Sequence, residues 1–225
     1  MVELSTTERT RVRRAPQRAA DDPAVLYEVL DEGLVCHVGF TEAGSPVVIP
    51  TAYGRDGDVL YLHGSTGSRM MRHLATGAPV CVTVTLLDGL VLARSVMHHS
   101  MNYRSAVVFG AARPVTAPDE RWRAFEAIVD HLVPGRWADA RHPNRKEAKA
   151  TAIVALDLSE ASVKLRTGPP IDDEIDLDAG TWAGVLPFAT TIGPPTADDH
   201  TPAGVDAPAY AVDYRRPVHS NGNMG

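Results

Sequence analysis

The chain has 225 residues, enough for one sizeable domain with extended arms. Hydrophobic residues make up 44% and charged residues 22%, ordinary for a globular protein, and a net charge of −6 argues against a broad nucleic-acid surface. There is no long uncharged apolar run to span a membrane and no apolar stretch of a secretory signal near the start, so a cytoplasmic location is expected.

Residues 1–20 carry Arg9, Arg11, Arg13, Arg14 and Arg18 and read as a basic N-terminal arm with solvated charges. In DPAVLYEVLDE, Val25, Leu26, Val29 and Leu30 share one helical face, with Asp22 as N-cap, Pro23 at the first position and Gly33 as the stop. The period then changes. LVCHVGF, PVVIPTAY and VLYLHG read as three short strands separated by the turns EAGSP and GRDGD, an antiparallel meander. SRMMRHLATG is a short helix ended by Gly77. APVCVTVTLLDGLVLARSV then reads as two strands with a hairpin at Asp88-Gly89. RSAVVFGAARPV adds a strand, and DERWRAFEAIVDHLVPG is an amphipathic helix with Trp122, Phe125, Ile128, Val129 and Leu132 along one stripe. ATAIVALDLSEASVKLRTG reads as two more strands joined at a Ser-Glu turn. Six or more antiparallel strands with a few short helices predict a mainly β, small closed or partly open barrel over 21–168. A Pro-rich, acidic tail follows over 169–225, from Pro169 to Pro217, extended and able to wrap over a partner subunit. Cys36 and Cys81 lie in apolar runs without CxxC spacing and read as buried reduced thiols.

Two segments carry chemistry. HGSTGSRMMRHL puts Gly64, Ser65, Thr66, Gly67 and Ser68 at a strand-to-helix junction, followed by Arg69 and Arg72. Backbone amides, hydroxyls and arginines suit a phosphate, although an ordinary capped helix explains the same residues. MHHSMNYRS gathers His98, His99, Asn102, Tyr103, Arg104 and Ser105 at a strand entry, where ligand-lining groups often sit. Adjacent histidines on an extended chain face opposite ways and have no carboxylate nearby in sequence, so no metal site is expected.

The order VIPTAY, LYLHGS, GSRMMRHL and YRSAVVFGAAR resembles the pyridoxamine 5′-phosphate oxidase-like superfamily of flavin-binding split barrels. It looks most like the branch of flavin-nucleotide-binding and nitroimidazole-resistance-related proteins. The resemblance spans roughly residues 20–168. It implies FMN as cofactor and a homodimer whose interface forms the site. It also implies that Val48, Ile49, Pro50 and Thr51 follow the flavin ring, Leu62 and His63 the ribityl chain, and Ser65, Ser68 and Arg69 the phosphate. Asn102, Tyr103, Arg104 and Ser105 would add contacts, with Lys164, Arg166 and Trp182 as candidates from the second subunit. The arginine and lysine that bracket the equivalent of VVIPT in true pyridoxamine phosphate oxidases are missing, so oxidation of vitamin B6 is not expected. The expected function is an FMN-dependent oxidoreductase of a small molecule, with His98 or His99 as proton donor or stabiliser of the reduced flavin. A non-catalytic flavin-storage protein is the second reading. The third is a barrel using haem or the deazaflavin F420, with His37, His63, His98 and His99 as possible axial ligands.

Overall fold

The computed structural model describes residue 4 and residues 6–215. The part of the expected tail that carries Pro217 lies outside the described residues. A short strand β1 (Ala19–Ala20) leads into helix α1 (Pro23–Glu32). The Asp22 side chain caps α1 by accepting from the Ala24 N–H, Pro23 opens it, and Leu26, Val29 and Leu30 are buried. Gly33 does end the helix, but its φ of −71° is ordinary. What requires glycine there is space, because a Cβ would come within 2.4 Å of Val84 Cγ1.

Strands β2 (Cys36–Glu42) and β3 (Ser45–Thr51) form a hairpin through Ala43 and Gly44, whose φ values of 49° and 79° are those of a two-residue type I′ turn. The strand expected over PVVIPTAY breaks at Ala52. Tyr53 begins β4 (Tyr53–Asp56), which pairs with β5 (Val59–Ser65) in a different sheet. The turn expected over GRDGD therefore shrinks to Gly57 and Asp58. Helix α2 (Arg69–Leu74) is followed by β6 (Pro79–Leu92) and β7 (Ser100–Ala111), then β8 (Arg113–Pro114). The expected hairpin at Asp88-Gly89 is instead a bulge within the single strand β6, where the register against β7 shifts between Leu87 and Gly89. Helices α3 (Pro118–Leu132), α4 (Arg136–Asp139) and α5 (Arg145–Ala150) precede β9 (Thr151–Asp157) and β10 (Ala161–Arg166). The tail adds β11 (Gly184–Pro187) and α6 (Ala209–Val212).

The first sheet runs β1-β10-β7-β6-β2-β3, and the second runs β4-β5-β9-β8. All pairs are antiparallel, as expected, and the two sheets do not close into a single ring. β9 and β10, read as neighbours across a Ser-Glu turn, belong to different sheets. β11 pairs with β6 at Gly89–Leu92, on the flank that β2 leaves at Thr83, so the tail returns to its own sheet. Further on, the Tyr214 hydroxyl donates to the Leu132 carbonyl at 2.8 Å.

Alternation along β5 serves two cores. Leu60 and Leu62 join Leu26, Leu30, Val38, Met71 and Val82 between the sheets, under α1 and α2. Tyr61 faces the other way and joins Phe125, Ile128 and Ile153 under α3. Cys36 is fully buried, which pushes its thiol up to about 12. Cys81 is only half-buried, contrary to expectation, because it lies on the outer face of β6, while Val80 and Val82 fill the core. Among the described residues no helix is long and apolar enough to cross a membrane.

Candidate functional site

β3 is the last strand of its sheet, so one flank of its backbone faces no other strand. Pro50, which has no N–H to give, sits where a sheet tolerates it. Val48 is 63% exposed, and exposure alternates along the strand. The chain passes from Thr51 through Ala52 to Tyr53, which pairs with Leu62. The next residue, His63, thus stands at the open end of β5, near where β3 finishes. This brings His63 near the end of the run Val48, Ile49, Pro50 and Thr51, although the two lie in different sheets, while the Leu62 side chain points away into the core. The His63 ring is partly buried and its Nδ1 is enclosed, with no hydrogen-bond partner among the described residues. Burial lowers its pKa and keeps the imidazole neutral.

The turn after β5 is held by its own bonds. The Gly67 N–H donates to Ser65 Oγ at 3.2 Å, and the Ser68 N–H to the Ser65 carbonyl at 2.9 Å. Ser68 Oγ accepts from the Met71 N–H at 3.4 Å and so caps α2. Arg69 Nε lies 3.2 Å from the Glu42 carboxylate, at the end of β2. Ser65 and Ser68 thus shape the turn, and Arg69 shares its charge with Glu42, while Arg72 beside it has no ion-pair partner among the described residues.

A further residue, His73, stands at the same place. It lies one turn after Arg69, so the face that carries Arg69 to Glu42 carries His73 to Phe40, with ring centroids 4.8 Å apart. Its Nε2 is buried and has no partner among the described residues. The i, i+4 spacing was the available signal, but it gains meaning only once α2 lies across the end of β2.

The second expected cluster does not join the first within one subunit. Strands β6 and β2 separate β7 from β3, a distance of roughly 14 Å at about 4.8 Å per strand. The guanidinium of Arg104 is taken up by two carboxylates, Asp88 and Glu32. Arg166, which is buried, bonds to Asn102 Oδ1, and to the Gly168 and Pro169 carbonyls at 2.8 Å each, pinning the start of the tail. Ser105 donates to the Lys164 carbonyl, and Lys164 Nζ to the Arg14 carbonyl, each contact fixing strand β10 or the arm. Tyr103 lies between Leu87 and Arg166 in the sheet. Trp182 is exposed and covers Gly184.

His98 ends a 3-10 turn over Val96–His98, and His99 follows it, with Nδ1 3.0 Å from the Ser95 carbonyl. No carboxylate neighbours His98 in sequence, yet the tail brings Asp173 to 3.6 Å from its Nε2, with Asp176 in the same group. Arg94 and Asp172, whose side chain is 2% exposed, clamp the two turns together. His37 is exposed on β2.

A cleft of about 750 Å³ lies between α3, α5 and β9. Trp122, Phe125 and Ile153 line it, Arg145 and Lys149 flank it, and it reaches the turn after β5 at Thr66.

Residues 22–165 match the family described as pyridoxamine 5′-phosphate oxidase. The flavocytochrome Anf3 from Azotobacter vinelandii is 37% identical, with a TM-score of 0.89 over 94% of this chain and 99% of its own. A FAD- and haem-binding protein from Mycobacterium smegmatis is 39% identical, with a TM-score of 0.82 over 86% of this chain and 95% of its own. A Bacteroides thetaiotaomicron protein described as a candidate for 5-nitroimidazole antibiotic resistance is 22% identical, with a TM-score of 0.55 over 65% and 85%, a likeness of fold. No curated protein matches the chain. With its antiparallel sheets and the family match over residues 22–165, this chain belongs to the pyridoxamine 5′-phosphate oxidase family of split barrels.

Proposed function

We propose that the protein binds a flavin and a haem together and acts, as a homodimer, in electron transfer to or from a small molecule. The observation that carries this reading is the buried, unpartnered Nε2 of His73, one turn from Arg69 and close to the hairpin of β2 and β3. Leaving such an atom without a partner costs about 1–3 kcal/mol, and an iron ion coordinated there removes that cost. The two proteins 37% and 39% identical to this chain are a flavocytochrome and a FAD- and haem-binding protein, which supports the same pairing of cofactors.

The flavin mononucleotide moiety would lie along Val48–Thr51, with His63 and the backbone at Leu62 by the ribityl chain and Arg69 and Arg72 near the phosphate. Bound together, a flavin exchanges electrons in pairs and a haem iron exchanges them singly. His63, neutral through burial, keeps its Nδ1 free to hydrogen-bond a cofactor polar group. Contacts from Asn102–Ser105 or Trp182 to the same flavin would come from a second subunit. Exposed apolar side chains support that assembly, among them Leu87, Met101 and Leu186 on the adjacent strands β6, β7 and β11, with Met97, Ile175 and Phe188 on the segments that flank those strands or follow in the tail.

An absorption spectrum of the purified protein, before and after supplying haem and flavin, tests the reading. Flavin bands together with a Soret band are expected. Flavin bands alone would remove haem, and a flat visible spectrum would remove both.

A further inference from the structure

We propose that the cleft between α3, α5 and β9 receives the adenylate half of flavin adenine dinucleotide, so that this chain selects FAD over FMN. The inference rests on the flavin reading above and adds where the second half of the cofactor goes. The cleft begins at Thr66, inside the turn that carries Ser65 and Ser68, so a chain continuing past the flavin's first phosphate enters it directly. The Thr66 N–H donates to the Ala150 carbonyl at 2.9 Å, which ties that turn to the end of α5. Turn and cleft are therefore one unit.

The cleft has the chemistry of an adenylate site. Its volume of about 750 Å³ falls within the range of small-molecule pockets. The Trp122 indole is 42% exposed and offers a flat face, of the kind on which proteins stack bases. Val115, Phe125 and Ile153 supply apolar walls. Arg145 and Lys149 stand one turn apart on α5, exposed and without an ion-pair partner among the described residues, and they suit the second phosphate, the one that belongs to the adenylate.

The walls are also fixed in advance. Arg121 donates to the Val115 carbonyl at 3.0 Å, to Ala148 at 2.8 Å and to Thr151 at 2.9 Å, joining α3 to both segments that bound the cleft. A capping box between Asn144 and Glu147 sets the first turn of α5. Ordering costs on binding are accordingly small.

The test is a titration of the flavin-free full chain with FAD and with FMN, followed by flavin fluorescence. FAD is expected to bind at least about tenfold more tightly than FMN. Trp122→Ala and the pair Arg145→Ala with Lys149→Ala should each abolish most of that preference and leave FMN affinity unchanged. Equal affinity for the two flavins, or variants that weaken both in parallel, overturns the adenylate assignment while the flavin reading stands. Binding of neither flavin overturns both.

Discussion

Asp88 receives Arg104 across the β6–β7 pair in bidentate fashion, from Nε at 3.0 Å and from Nη2 at 2.7 Å, at the place where β6 bulges. The same guanidinium reaches Glu32 at the end of α1, and the three side chains are 15%, 28% and 13% exposed in the order Arg104, Asp88, Glu32. Hydrogen bonds donated to Asp88 and then to Glu32 raise the Arg104 pKa further, so it is always charged. Removing one member of such a triad strands the remaining charges. Arg104→Ala is expected to cost about 3 kcal/mol in urea unfolding. A loss under about 1 kcal/mol would mean the triad behaves as a surface pair.

Gly54→Ala tests how closely α3 lies on β4. A Cβ at Gly54 would come within 2.6 Å of the Ala127 backbone carbonyl group, and backbone yields less than a side-chain tip. The expected cost is about 2–3 kcal/mol, seen as a lowered Tm. Gly44→Ala is the matched control with no overlap, where only the strained φ of 79° is at stake. Equal losses at both positions would refute the close contact.

Local signals were sufficient where a structure is decided locally. Asp22 and Pro23 fixed the start of α1, and the β2–β3 hairpin followed from its turn residues. Asp88-Gly89 has the same local signature in a hairpin and in a bulge. Distant groups decide between them: Arg104 holds Asp88, and the Leu186 carbonyl lies 2.6 Å from where a Gly89 Cβ would be. The site divides in the same way. That His63 comes near the end of the Val48–Thr51 run was legible, because it needs only the short connection through Ala52 and the β4–β5 pair, all close in sequence, although the two stretches lie in different sheets. His73 was not, since its burial depends on Phe40 from another strand, nor was the approach of Asp173 to His98 from the tail. The cleft leaves no trace in the sequence pattern because its floor includes α5, a six-residue helix with too few apolar positions to show a period. Its Asn144 and Glu147 did carry the spacing of a capping box.

His63 gives stability a pH dependence. Burial lowers its folded-state pKa below the unfolded value of 6.5. Above that value both states are neutral and the stability is fully present. As pH falls below it, the unfolded chain takes up a proton that the folded one resists, and stability is lost until pH passes the lower folded pKa. Replacing His63 by Gln should flatten the loss between wild type and variant over that interval, in cofactor-free protein. Parallel curves would show that His63 titrates as in the unfolded chain.

His73→Ala should eliminate the Soret band and leave flavin affinity within about twofold. Imidazole added to the variant should restore part of the band, because the void left beside Phe40 admits the missing ring. A Soret band that survives in the variant without imidazole would move the ligand elsewhere, with His63 the next group to test.

Association is tested at the apolar face. Met97 and Leu186 are exposed on two different segments, the 3-10 turn before β7 and the tail strand β11. If this face is covered by a second copy, Met97→Glu with Leu186→Glu places two carboxylates per subunit in the contact, and the two-fold relation doubles the number. Sedimentation should show a dimer for the wild type and a monomer for the variant at micromolar concentration. Neither side chain belongs to the buried core, so the fold should melt within a few degrees of the wild type. Flavin affinity should fall with the dimer, because Asn102–Ser105 stand three strand spacings from β3 within one subunit. A monomeric wild type, or a monomeric variant that binds flavin as well as the dimer does, would mean one subunit holds the cofactor alone.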